Sequence, residues 1–367
     1  MRILYDYAAF VMQGRGGVSR VLYELFKSVS ELGDVEVMLF AGFHKNLYLR
    51  DAPQEVKRRI IGWYLPEKVI KQRVFMPINR LLFQVYARCF RPDVCHLTYF
   101  DLPRLPENCK VVITIHDMIN ELYPEMFAVD DPQCTWKKKA VKRADGVVCV
   151  SENTLKDLKK FTDLKNTETR VIYHGNSFAD VEPISLTFDK PYFLYVGSRF
   201  VAYKNFNFVL ETLAHKKIGN NVSLVCFGGG DLKSQELKLI EKFGLSERVL
   251  QVSGSDELLA AYYKNARALI YPSTYEGFGL PPLEAMGFGC PVVVSSAPPM
   301  PEVVENAGLY FNPNSSDELA ECLKGVLSKK IRKRLSDLGI QQSRKFQWNN
   351  KADQLTAFYK QLLKNYG

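Results

Sequence analysis

Short apolar runs alternate with amphipathic stretches along the whole chain, as strand and helix do when they follow one another in turn. In the first half, residues 2–6, 35–41, 94–97, 111–115, 146–150 and 170–173 are predicted strands. Several are continuously apolar, the pattern of parallel strands covered on both faces. After Gly17, residues Val21, Leu22, Leu25, Phe26 and Val29 recur at helical spacing. Strand, glycine loop and helix in that order open a doubly wound domain. Residues 176–190 lose the period and contain Pro183, so they are predicted to be a linker. The rhythm then restarts with predicted strands at 192–196, 222–227, 249–252, 268–271 and 292–294. The predicted class is α/β: two Rossmann-like domains, 1–175 and 191–348, facing across a cleft. A helical tail over 349–366 is assigned to the first domain.

Composition narrows this little. A chain of 367 residues, 47% hydrophobic and 24% charged, is ordinary globular material. The net charge of +9 favours anionic partners without choosing among phosphates, acidic lipid and nucleic acid. The eight cysteines form no C-x-x-C pair and mostly sit in apolar runs, as reduced buried thiols do. That points away from a disulfide framework and toward a reducing compartment. The first residues read as a strand instead of a signal peptide, and no run reaches the roughly 18 apolar residues of a membrane span. A cytoplasmic location is expected, with peripheral contact at the inner face of the cytoplasmic membrane as an option.

Three places carry candidate chemistry. Gly14-Arg15-Gly16-Gly17 lies between a strand and a helix, where glycines admit a diphosphate to the backbone and helix amides receive its charge. A plain tight turn explains the loop equally well, and Ser19 breaks the dinucleotide fingerprint. The strand 192–196 ends in Gly197-Ser198-Arg199, and Lys204-Asn205 follows where a helix is predicted to begin. Cations there oppose the helix dipole, which hints at an anionic ligand over solvated surface charge. Glu276 and Glu284 flank Gly277-Phe278-Gly279-Leu280-Pro281-Pro282, with the prolines marking a helix start. Two carboxylates on adjacent turns can accept hydrogen bonds from vicinal hydroxyls, or merely favour the helix dipole.

The pattern Glu276-x7-Glu284 resembles the signature of the retaining glycosyltransferases of family 4, which have the GT-B fold. Gly16-Gly17, His116-Asp117, Val150-Ser151-Glu152 and Gly197-Ser198-Arg199 with Lys204-Asn205 fall in that family's order and spacing, so the likeness spans the chain. It implies that Gly16 and Gly17 face the donor phosphate and sugar, and that Arg199 and Lys204 hold the diphosphate, with Ser198 beside them. It further implies that Glu276 and the amides of Phe278 to Leu280, with Gly277 and Gly279, orient sugar hydroxyls, and that Glu284 binds the ribose. The resemblance also implies that His116 supports the reacting centre and that Ser253 to Leu258, including Gly254, line the nucleobase, mainly through backbone. Gly228-Gly229-Gly230 reads either as part of the cleft or as a simple turn. Such enzymes are held to transfer on the front face, with cations meeting the charge of the departing diphosphate. No D-x-D triplet occurs, so no metal and no other cofactor is expected.

Residues 56–92 hold nine Lys or Arg, interleaved with Trp63, Tyr64, Phe75, Leu81, Leu82, Phe83 and Tyr86. The stretch reads equally as an anionic-membrane surface and as domain core under a solvated face. No nucleic-acid module is recognisable. The resemblance implies hexosyl or deoxyhexosyl transfer, from a GDP-sugar by preference, to a glycan or lipid-linked glycan in surface polysaccharide or lipopolysaccharide assembly. The alternatives are a UDP-sugar hexosyltransferase and a catalytically silent scaffold.

Overall fold

The uninterrupted apolar runs pair as parallel strands. The computed structural model describes residues 1–128, 131–165, 167–216, 218 and 221–364. It divides into two units, Met1–Gly175 with Gln347–Gly367, and Asn176–Phe346.

The first unit carries β1 (Arg2–Tyr5), β2 (Glu36–His44), β3 (Ile60–Tyr64), β4 (Val94–Leu97), β5 (Lys110–Ile115), β6 (Gly146–Cys149) and β7 (Glu168–Val171). They form one parallel sheet in the order β3-β2-β1-β4-β5-β6-β7. Its helices are α1 (Ala8–Met12), α2 (Gly17–Ser30), α3 (Leu47–Arg50), α4 (Gln54–Lys57), α5 (Gln72–Phe90), α6 (Ile119–Leu122), α7 (Gln133–Arg143) and α8 (Glu152–Phe161). The second unit carries β8 (Tyr192–Val196), β9 (Ser223–Phe227), β10 (Val249–Val252), β11 (Ala268–Tyr271), β12 (Val292–Ser295) and β13 (Gly308–Phe311), in the order β10-β9-β8-β11-β12-β13. Around it stand α9 (Phe206–His215), α10 (Ser234–Lys242), α11 (Asp256–Asn265), α12 (Leu280–Gly287), α13 (Met300–Val304), α14 (Ser316–Gly325) and α15 (Lys329–Ser343), and α16 (Trp348–Lys364) returns to the first unit.

Each sheet has apolar side chains on both faces. Leu22, Leu25 and Phe26 of α2 and Leu355, Phe358 and Leu362 of α16 cover one face of the first sheet. Phe83 and Ala87 of α5, Ala140 and Val141 of α7 and Leu158 of α8 cover the other. The tail joins the sheet by polar contacts too: His96 bridges the Tyr359 hydroxyl and Thr114 Oγ1, the latter at 2.8 Å. A Cβ on Gly146 would come within 2.7 Å of Leu362, so only glycine lets α16 lie this close to β6.

Four expectations need correction. The short α1 stands between β1 and the glycine loop, where a direct passage was predicted. β3 and β13 were not anticipated; both are half-exposed edge strands, without the continuous burial that makes an inner strand readable. Residues 176–190 are not a free linker, because Phe178 is buried against the rings of Tyr263 and Phe288 in the second unit. The tail helix begins one residue early, at Trp348, and of the stretch predicted to reach Tyr366, residues 365 and 366 lie outside the described part.

The basic stretch divides by side. Phe83 is fully buried, and Phe75 and Tyr86 pack onto the same core. Val74, Ile78, Leu81, Leu82 and Val85 line the opposite side of α5 and are all exposed, Leu81 at 64%. Their spacing of four, three, one and three residues is one helical stripe. Trp63, on the edge strand, is exposed as well. Among the described residues no helix is long and apolar enough to cross a membrane.

Candidate functional site

In an open parallel sheet the strand order reverses at one point, and ligands bind outside the strand ends there. In the second sheet that point lies between β8 and β11. The chain leaving β8 passes Gly197, Ser198 and Arg199, and makes a single 3₁₀ turn, Ala202–Lys204. It then starts α9 from Asn205, held at a left-handed φ of 55°. Lys204 therefore stands just before the helix and not on its first turn. The chain leaving β11 carries Glu276, and its loop is tied to the 3₁₀ turn by the Thr274 amide donating to the Tyr203 carbonyl at 2.8 Å.

These two loops bring Lys204 and Glu276 together. Lys204 Nζ donates to Glu276 Oε1 at 2.6 Å, with the side chains 21% and 13% exposed. The ammonium also lies 5.7 Å from the centre of the Tyr271 ring. Burial, then the charge of Glu276, raises the Tyr271 phenol far above its usual range, and it stays a neutral donor to that carboxylate. The pair remains accessible enough to exchange partners. An ammonium can donate to an anion, and a carboxylate can accept from hydroxyls.

After Glu276 the chain runs through Gly277 and the buried Phe278, which packs 5.9 Å from the Phe346 ring. Gly279 caps α12 at φ 105°, and a Cβ there would strike the Met300 methyl at 2.4 Å. Leu280 begins the helix. Pro281 and Pro282 carry no N–H, so the donors of this first turn are confined to the residues before them. Glu284 is 5% exposed and accepts from the Tyr263 hydroxyl at 2.8 Å, so it lies behind the surface. Gly254 is exposed on the loop after β10, followed by Ser255, which caps α11.

Arg199 departs from expectation. Its side chain has no solvent exposure. Nε donates to Glu236 Oε1 at 2.7 Å, Nη1 to the Gly228 carbonyl at 2.6 Å, and Nη2 to the Gly230 carbonyl at 2.6 Å. In this arrangement the guanidinium is buried and bonded to three protein acceptors. Arg199 stands on the loop after β8, where the sequence placed it, but nothing in the local sequence announced Glu236 as its partner.

The remaining candidates lie in the first unit. Gly17 is the exposed first residue of α2, and Gly16 before it is extended. One amide of that helix start is already used, since Gln13 Oε1 accepts from Ser19 N–H at 3.0 Å. His116 follows β5, and its Nε2 is shielded from solvent with no hydrogen-bond partner among the described residues. Burial lowers its pKa to about 4 against the opposing pull of Asp117, so the ring is neutral. Asp117 in turn caps the next turn through the Ile119 amide at 3.1 Å. Ser151 caps α8 through the Thr154 amide at 3.0 Å.

Comparison with known proteins gives the two units one context. Residues 15–176 match the family described as Glycosyltransferase Family 4, and residues 178–346 match glycosyl transferases group 1. The chain is 26% identical to O-antigen chain mannosyltransferase RfbU of Salmonella typhimurium over 331 residues, which is 85% of this chain and 88% of that one. It is 27% identical to O-antigen chain mannosyltransferase B of Escherichia coli over 376 aligned residues, 94% and 96% of the two chains. Among solved structures, sucrose-phosphate synthase from Thermosynechococcus elongatus matches 99% of both chains with a TM-score of 0.77 at 21% identity. At that identity the match concerns the fold.

Proposed function

The chain belongs to glycosyltransferase family 4 and has the GT-B fold, and on that basis we propose that it transfers mannose from GDP-mannose to a growing surface polysaccharide. The transfer retains anomeric configuration in this reading. The bond between the anomeric carbon and the diphosphate oxygen breaks, and the acceptor oxygen bonds to the same face. The acceptor's proton passes to the departing oxygen. Lys204 meets the negative charge that develops there, while Glu276 turns to the sugar hydroxyls. The observation that carries the reading is the Lys204–Glu276 pair at the point where the strand order reverses. The mannosyltransferase names of the two full-length relatives support the choice of sugar. This reading assigns the charge on the leaving group to protein groups.

On the acceptor side, the outward stripe of α5 and its surrounding cations fit a bilayer of anionic phospholipid. Residues 56–92 hold nine Lys or Arg against one Glu, nearly the whole net charge of the chain. Apolar side chains at the centre and cations around them suit a helix lying in the headgroup layer. A lipid-linked glycan would then be met where it resides.

A donor screen tests the function. GDP-mannose, UDP-glucose, UDP-galactose and dTDP-rhamnose are supplied with a lipid-extract acceptor, and nucleotide release is read. Release is expected from GDP-mannose above the others. Preference for a UDP-sugar would overturn the donor, and no release from any of them would overturn the activity on these acceptors.

A further inference from the structure

We propose that Arg199 and Glu236 are a positioning pair that holds the turn Gly228-Gly229-Gly230, so that its outward amides receive an oxygen of the nucleoside diphosphate, while the guanidinium itself does not touch the ligand. The proposal rests on the nucleotide-sugar reading above and deepens it.

The turn is unusual in its backbone. Gly228, Gly229 and Gly230 have φ of 77°, 71° and 74°, three left-handed residues in succession. Only glycine adopts that conformation without strain, and glycine loses more backbone entropy on ordering than any other residue. A plain passage from strand to helix does not need three. What holds them is Arg199, which bonds the carbonyls of Gly228 and Gly230 at 2.6 Å each.

That grip fixes where the amides point. In a trans peptide the N–H lies opposite the C=O. With the carbonyls of residues 228 and 230 on the guanidinium, the amides of Gly229 and Asp231 point the other way. Among the described residues neither amide has an acceptor. Two backbone donors are thus aimed outward by one buried side chain. They hang from the same sheet edge as Lys204, since Val196 and Phe227, the last residues of β8 and β9, lie side by side.

Glu236 keeps the guanidinium in place. Its Oε1 accepts from Arg199, and its Oε2 accepts from the Lys233 amide at 2.8 Å, which anchors the carboxylate to the start of α10. The contact between the two loops leaves no slack. A Cβ on Gly229 would lie 2.6 Å from the Gly197 carbonyl oxygen and 2.9 Å from Arg199 Nη1.

The test is a calorimetric titration with GDP and, separately, with UDP. It uses the wild type, Lys204→Ala, Arg199→Lys, Glu236→Gln, Gly229→Ala and the double variant Arg199→Lys/Gly229→Ala, each with its Tm. Lysine keeps the charge but cannot bridge two carbonyls, and glutamine keeps the shape of the acid. Each of the three single changes at the turn is expected to weaken the nucleotide by about tenfold, the scale of an amide hydrogen bond to a charged oxygen. The double variant is expected to bind no worse than the weaker single, because both changes undo one device. Losses that multiply in the double variant would mean the guanidinium contacts the nucleotide itself, and would overturn the proposal. Wild-type affinity in folded Arg199→Lys and Glu236→Gln, with only the Tm lowered, would reduce the pair to a structural role. If Lys204→Ala weakens the nucleotide while the turn variants do not, the pair proposal fails alone. If neither nucleotide binds the wild type, the nucleotide-sugar reading fails with it.

Discussion

Lys204 and Glu276 satisfy one another at 2.6 Å, and that pairing decides what each substitution does. In the proposed function a diphosphate would compete with Glu276 for the ammonium. Lys204→Ala removes the cation, so both nucleotide affinity and turnover fall. Glu276→Ala removes the competitor, so the nucleotide binds at least as tightly as before while turnover still falls. Each variant is expected to lose roughly 10²–10³-fold in turnover, the effect of one lost contact to developing charge. Far-UV circular dichroism should be unchanged, since neither side chain is deeply buried. Steady-state rates and nucleotide titrations on the two variants check this, and equal losses of affinity in both would count against the competition. The two residues were legible because each sits on a loop after an inner strand, and adjacency of those loops follows from the strand order. Arg199 was legible only as a position. Its direction is set by an acid 37 residues away and by two carbonyls, which no local pattern connects. Tyr263, which holds Glu284, gave no signal either, because a tyrosine in an apolar helix reads as core.

Among the elements, what could be read depended on how completely each is covered. β8, β10 and β11 were located to the residue. β8 and β11 lie inside the sheet as continuous apolar runs; β10 is an edge strand bounded by clear turn residues. β3 and β13 escaped notice because their side chains are half-exposed and glycine begins or interrupts them. α5 shows the converse problem. Its apolar positions occupy both sides, and only the packing reveals which belong to the core. Phe83 and Ala87 face the sheet, and Leu81 and Val85 face away with 64% and 52% exposure. Substituting the second pair should therefore leave folding intact and change what the helix meets. Leu81→Glu/Val85→Glu is expected to lower binding to phosphatidylglycerol-containing vesicles by roughly tenfold or more, from the lost burial of two apolar side chains. The Tm should stay within a degree or two of wild type. Raising the salt should weaken the wild-type interaction as well, because its charged part is screened. Cosedimentation with anionic and with neutral vesicles reads both effects, and unchanged binding of the double variant would remove the membrane from the proposal.

At the scale of the whole chain the two units differ in what they titrate. His44, His96, His116 and His174 are all in the first unit, and burial lowers their pKa values, to about 4, 3 and 4 for the first three and well below the ordinary value for His174. His215, in the second unit, is exposed. An imidazole that is neutral when folded but takes up a proton when unfolded leaves stability intact above about pH 6.5 and removes it as the pH falls toward the folded value, by about 1.4 kcal/mol per pH unit for each group. Asp6 acts in the opposite sense. Burial raises its pKa to about 7, so between about pH 4 and 7 the folded carboxyl keeps a proton that the unfolded one releases, and falling pH favours the fold. One carboxyl offsets one imidazole, and three remain. In the second unit the lowered carboxyl of Glu305, held by Lys345, loses its contribution only as the pH drops below about 4.5. Between pH 6.5 and 4.5 acid should therefore weaken the first unit selectively. The chain supplies its own reporter, since Trp63, Trp136 and Trp348 all lie in that unit. Urea unfolding followed by tryptophan fluorescence should show a midpoint that falls between pH 7.5 and pH 5.0. Circular dichroism, which follows both units, should retain a transition at higher urea in the acid sample. Fluorescence and dichroism midpoints that stay coincident and unmoved at pH 5.0 would mean that these imidazoles accept protons in the folded state, contrary to their burial.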